Sequence, residues 1–304
     1  MRTLAVVIVA SLSSLLSAAS DQIPSAGVKD SSTSKSFQRI VSLNGSTTEL
    51  LYALGFGPQV VGRDESSYYP DEVNSVPSVG YQFMLSAEGI LSLKPDLVIG
   101  RDDAKPVTVL EQVKTAGAHL VLMKEPRSFD AARAHILEVG ELLGAKEKAE
   151  QLAKQLDEDV AKLKKRQDEL KGKPEKKLVC LYLRGPMVAF LLGDDSGAGS
   201  MIRAAGLHNS LGGNKGTPAL TAESLAAAQP DVLVTYQKGL QSVGGIKGLI
   251  KLPGVAQTPA GRSNRVVALD DIYLGSFGPR CGRAALDLLN GVYSGEGLVE
   301  VNGK

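Results

Sequence analysis

Short aliphatic runs alternate with amphipathic stretches along most of this chain. RIVSL from Arg39, QVVG ending at Gly62, DLVIG ending at Gly100 and AHLVLM ending at Met123 are too short for helices, and their continuous apolar character predicts buried strands. STTELLYALG closes on Gly55, and SFDAARAHILEVGELLG repeats its apolar residues at three- and four-residue steps, so both read as helices. The same grammar returns in the second half with KLVCLYL, the helix SMIRAAG, DVLVT, RVVAL and a last helix from about Gly282 to Leu289. Strand and helix alternating in this order predict an α/β protein with mostly parallel sheets wrapped by helices.

Between the halves lies KEKAEQLAKQLDEDVAKLKKRQDELKGK. Ala149, Leu152, Leu156, Val160 and Leu163 form one apolar stripe, while Glu150/Lys154 and Glu158/Lys162 are favourable pairs four residues apart. This predicts one long helix ended by Gly172 and Pro174, a strut between two lobes rather than a coiled coil. The expected layout is therefore two Rossmann-like lobes, 38–145 and 174–304, joined by 146–173.

A duplicated stretch strengthens that layout. LSAEGILSLKPDLVIG from Leu85 and LTAESLAAAQPDVLVT from Leu220 share their leucine, alanine, glutamate, proline and aspartate at an offset of 135 residues. In each, a Ser or Thr N-cap opens a short helix with Glu on its first turn (Glu88, Glu223), a proline follows that helix, and an aspartate leads into a strand. Such a glutamate is stabilised by the helix dipole, which by itself accounts for its position.

The N-terminus sets the expected compartment. Met1 and Arg2 precede an apolar run from Leu4 to Leu16 and then small residues, the pattern of a cleaved secretory signal over 1–20, followed by a Ser-rich leader over 21–37. With no cysteine near the cleavage region, a lipid anchor is not expected, and the reading is a periplasmic protein. A formal charge of +1 argues against nucleic acid as a partner. Cys180 and Cys281 permit one disulfide, although a buried thiol in the strand LVCLYL is the simpler expectation.

Ligands of open α/β sheets sit beyond the carboxyl ends of the strands. The residues there are Arg63 to Pro70 after QVVG, Arg101 after DLVIG, Arg184 after LVCLYL, Tyr236 to Lys238 after DVLVT, and Asp270, Asp271 and Tyr273 after RVVAL. Phenols and cations in one cleft suit a ligand with a hard metal centre, apolar bulk and negative charge, because a phenolate binds ferric iron and a nearby cation lowers the cost of ionising it. On spacing alone, a Tyr-Tyr-Pro loop is more often a packed surface turn.

VGRDESSYYP, followed by VPSVGYQFMLSAEGILSLKPDLVIG, resembles the periplasmic haem-binding proteins of bacterial haem-uptake ABC transporters, within the helical-backbone substrate-binding group that also takes cobalamin and ferric siderophores. The resemblance continues through the linking helix, TPALTAESLAAAQPDVLVT, LPGVAQTPAG and LGSFGPR. It implies a non-catalytic, monomeric receptor for ferric haem b. The tyrosine before the proline, Tyr69, would be the axial iron ligand, with Tyr68 the alternative, and Lys238 would support it. Arg63, Arg101 and Arg184 become candidates for the propionates, and Tyr81, Tyr236 and Tyr273 for the pocket wall. In the same family a glutamate on each lobe, here Glu88 and Glu223, docks onto the membrane permease. The alternative is a cobalamin or ferric-siderophore binder on the same scaffold. An exported enzyme is a weaker rival: the chain has no G-x-S-x-G elbow or phosphate loop, and His119, His135 and His208 are scattered.

Overall fold

The structure is a computed structural model that describes residues 36–213, 216–295 and 297–303. The expected signal and nearly all of the leader lie outside the described residues. No described helix is long and apolar enough to cross a membrane.

Two sheets carry the fold. β1 (Ile40–Leu43), β2 (Val60–Arg63), β3 (Leu97–Arg101) and β4 (His119–Met123) make a wholly parallel sheet in the order β2-β1-β3-β4. β5 (Leu178–Leu183), β6 (Ala189–Leu191), β7 (Val232–Tyr236), β8 (Val266–Leu269) and β9 (Leu298–Val301) make the second, in the order β6-β5-β7-β8-β9. Only β6 runs antiparallel to its neighbour. In the first sheet the chain leaves β1 for β2 on one side and returns to β3 on the other. That reversal opens a crevice at the carboxyl ends of the strands.

The duplicated stretches fold alike down to single residues. Ser86 caps the helix Ala87–Ser92 through the Gly89 N–H, and Thr221 caps Ala222–Ala228 through the Ser224 N–H. After each helix a non-glycine residue adopts the left-handed conformation, Lys94 at φ 47° and Gln229 at φ 40°, and each precedes a proline. The aspartates then do the same work in both sheets. The Asp96 carboxylate accepts hydrogen bonds from the Gln38 and Arg39 amides ahead of β1, and the Asp231 carboxylate accepts one from the Lys177 amide ahead of β5.

The linking helix spans Lys146–Glu169 and buries Ala149, Ala153, Leu156 and Leu163. On one side it packs against the helix Phe129–Leu142, where Gly140 is required: a Cβ there would lie 2.2 Å from that of Ala149. On the other it meets the last helix, Cys281–Tyr293, with Gly282 facing Leu156 and Asp159. The main apolar core runs from Ile40 and Leu97 through Ala149 and Leu156 to Leu178 and Val234, and two further clusters centre on Val179 and Leu233 and on Val41 and Val98. Both cysteines are buried and unpaired within the main core.

A tyrosine-lined cleft between the two sheets

The loop after β2 is organised from beneath. Asp64 is fully buried, and its carboxylate accepts hydrogen bonds from the Ser67 hydroxyl (2.6 Å), the Ser66 hydroxyl (2.7 Å) and the Ser66 amide (3.1 Å). Ser67 Oγ also lies 2.7 Å from Thr48 Oγ1, on the helix Gly45–Ala53 that follows β1. The run DESS is thus a scaffold that fixes the backbone leading into the two tyrosines.

The two tyrosines face different sites. Tyr68 lines a cleft between the sheets together with Asn44, Tyr81, Gln82 and Arg101 from the first half and Tyr182, Tyr236, Lys238 and Asp271 from the second. The Lys238 Nζ lies 3.1 Å from the centre of the Tyr68 ring, and the Tyr68 hydroxyl accepts a hydrogen bond from the Ile272 amide at 3.1 Å. Tyr69 lines a separate cavity of about 680 Å³ beside the linking helix, with Glu49, Tyr52 and Arg280, and its ring carries the Arg280 guanidinium 3.5 Å above its centre. Tyr69, the tyrosine next to the proline, therefore lies outside the cleft between the sheets, and Tyr68, the alternative, lines it.

Burial pushes the Tyr68 phenol well up from its ordinary value, the Asp270 and Asp271 carboxylates push it further, and the Ile272 N–H works in the opposite direction. Tyr236 is also pushed up, chiefly by burial. Asp271, whose carboxylate accepts a hydrogen bond from the Lys238 amide, is raised to about 6, again mainly by burial.

The remaining expected residues divide. Arg101, Arg184, Tyr81, Tyr236 and Lys238 surround the cleft, whose two adjoining parts, of about 490 and 400 Å³, share Tyr81 and Tyr182. Arg101 commits its guanidinium to Asp103 at 2.6 and 2.9 Å, whereas Arg184 is exposed and makes no ion pair among the described residues. Arg63 does not reach the cleft. Its guanidinium donates to the Val73, Val76 and Asp64 carbonyls and holds the loop closed. Tyr273 is not a cleft residue either: it is 2 % exposed, and its hydroxyl donates to Asp287 on the last helix. Glu88 and Glu223 stand exposed on the first turns of the duplicated helices.

The family model for periplasmic binding proteins matches residues 40–273. The chain belongs to this family. Within it, the solved structure of the periplasmic heme-binding protein RhuT from Roseiflexus sp. RS-1, in its apo form, is 44 % identical and superposes with a TM-score of 0.80, covering 85 % of this chain and 98 % of that one. An uncharacterized ABC transporter substrate-binding lipoprotein of Bacillus subtilis, YvrC, is 29 % identical over 89 % of this chain and 85 % of its own. A vitamin B12-binding protein of Yersinia pestis is 30 % identical over 42 % of this chain and 46 % of its own.

Several cleft residues escaped sequence reasoning, Asn44 and Tyr182 among them. Tyr182 is the penultimate residue of β5, and its ring meets that of Tyr236 edge-on with centroids 6.3 Å apart. The rule that drew attention to Arg184, proximity to a strand's carboxyl end, applied equally to Tyr182. Gln82, in the GYQF stretch beside Tyr81, is 5 % exposed, and its Oε1 has no hydrogen-bond partner among the described residues. Together the walls offer aromatic faces for a flat apolar ligand, a phenol for a metal, and cations for carboxylates.

Proposed function

We propose that this periplasmic binding protein captures one ferric haem between its two halves and delivers it to an ABC-transporter permease. The observation that carries the reading is the Tyr68 phenol, gripped by Lys238 and the Ile272 amide inside a cleft walled by Tyr81, Tyr182 and Tyr236. Ferric iron takes a phenolate as an axial ligand, and a cation beside the ring favours the ionised form. The aromatic walls match a macrocycle's faces, and Arg184 and Arg101, which line the two adjoining parts of the cleft, meet the propionates. The 44 % identity to RhuT over nearly the whole of that protein supports the same reading.

In this proposal residues 38–145 and 174–304 act as two lobes, 146–173 is a strut that limits them to a small rocking motion, and the protein works as a monomer exported to the periplasm. It carries its ligand without transforming it. Glu88 and Glu223, one on each lobe, are the docking charges for the permease.

Absorbance titration of the purified protein with hemin tests the reading, with cyanocobalamin and a ferric catecholate siderophore as competitors. A saturable Soret change with a phenolate-to-iron charge-transfer band, undisturbed by either competitor, is the expected outcome. Tight binding of the corrinoid or the siderophore, with no response to hemin, would replace the ligand while keeping the scaffold.

A further inference from the structure

The two neighbouring tyrosines are held by one segment of the second half. Tyr68 accepts the Ile272 N–H, and Tyr69, one residue on, lies beneath Arg280. Arg280 stands at the N-terminal boundary of the last helix and reaches across to the first half, where its fork meets the Glu49 carboxylate at 2.8 and 2.7 Å. Both ends of this ion pair are sequestered, with side chains 16 % and 5 % exposed. A third bond from the guanidinium to the Gly303 carbonyl fixes its plane. Glu49 sits on the helix Gly45–Ala53, whose cap Asn44 and first residue Gly45 line the cleft, so Arg280 ties three things together: that helix, the tyrosine loop and the second sheet's half.

We infer that Arg280 is a positioning residue for the ligand-binding phenol: by clamping the Tyr69 ring it sets where its chain neighbour Tyr68 presents its oxygen in the cleft. The inference rests on the haem reading for its functional consequence, and on geometry alone for the clamp. A planar guanidinium suits the task because it stacks on a ring and grips a carboxylate bidentately at once, which an ammonium cannot do. The Glu49 pair and the Gly303 bond hold the plate still, so the Tyr69 ring has one low-energy place to rest.

Three variants test this. Tyr69→Phe keeps a ring under the guanidinium and should bind hemin as the wild type does. Tyr69→Leu removes the ring but leaves the Arg280–Glu49 pair intact, and Arg280→Lys keeps the charge but loses the plate. Each should bind hemin about tenfold more weakly, the order expected for one cation–π contact in a sheltered site, with a shifted and weakened charge-transfer band. A readout without hemin separates the clamp from the haem reading: the Ile272 amide, shared between the Tyr68 hydroxyl and the Asp270 carboxylate, should exchange faster in Tyr69→Leu, where the first of its two acceptors is displaced, and at the wild-type rate in Tyr69→Phe. If Arg280→Lys loses its cooperative melt, Tyr69→Leu decides. Unchanged amide exchange in Tyr69→Leu would overturn the clamp. Wild-type hemin affinity and band in a folded Tyr69→Leu would overturn its role in binding, and loss of the band in Tyr69→Phe would make Tyr69 itself the ligand. Should wild-type protein ignore hemin while the amide exchange behaves as expected, the haem reading fails and the clamp stands.

Discussion

The Lys238 ammonium sits 3.1 Å from the centre of the Tyr68 ring, although the two residues come from opposite halves of the chain. Lys238 is delivered by the helix that starts directly after β7, Tyr68 by the loop after β2, so the contact exists only when both sheets present their carboxyl ends to one cleft. A cation in van der Waals contact with a phenol favours the phenolate that a ferric centre requires. Lys238→Met should therefore weaken hemin binding by about tenfold, the effect of roughly 1.4 kcal/mol, and move the onset of the phenolate-to-iron band to higher pH. A pH titration of the hemin complex reads both changes, and Lys238→Arg should restore most of the loss.

Asp271 gives stability a distinctive pH dependence. Burial raises its carboxyl from 3.8 to about 6, so the folded protein holds that proton more tightly than the unfolded chain does. Its penalty is absent below about pH 4 and grows as pH rises through about 6, where the native carboxylate must ionise in a poor environment. Asp271→Asn keeps an acceptor for the Lys238 amide and removes the charge. It should stabilise the protein at pH 7.5 by at most about 3 kcal/mol, seen as a higher melting temperature, and leave the melting temperature unchanged near pH 3.5. Equal effects at both pH values would point to packing instead.

The two thiols are buried, and burial raises Cys180 to about 12 and Cys281 higher still. The thiolate is the reactive form, so native protein should resist a thiol reagent at pH 8 and yield two equivalents per chain once unfolded. Recovery of none after unfolding without reductant would mean the pair had oxidised.

Glu88 and Glu223 are exposed first-turn residues with no ion pair among the described residues. If they meet arginines of a permease, Glu88→Lys or Glu223→Lys should abolish ligand-protein stimulation of the transporter's ATPase, while hemin affinity and melting temperature stay within error. Each glutamate is also favoured by its helix dipole, worth roughly 0.3–1 kcal/mol. A loss of melting temperature with full stimulation would assign them to that structural role alone.

Much of the frame was legible because it rests on local rules. Seven strands read as continuous apolar runs, and the duplicated stretch carried the identity of two caps, two prolines and two strand-tying aspartates. β6, with three residues, and β9, whose exposed and half-buried residues alternate at a sheet edge, gave too weak a pattern to register. The site was legible by region but not by side chain. Proximity to Pro70 says nothing about which of two adjacent rings enters the cleft. Tyr69 instead stacks under Arg280, a residue far along the sequence, beside the linking helix. Tyr273 misled for the same reason, since its partner Asp287 lies two helical turns into the last helix. Arg63 misled because a loop can consume a guanidinium with its own carbonyls.

Hemin titrations of Tyr68→Phe and Tyr69→Phe, side by side with the wild type, put the central assignment to the test. Loss of the phenolate-to-iron charge-transfer band in Tyr68→Phe, with a wild-type spectrum in Tyr69→Phe, is the predicted result. A Tyr68→Phe protein that keeps the band and the affinity of the wild type would contradict it.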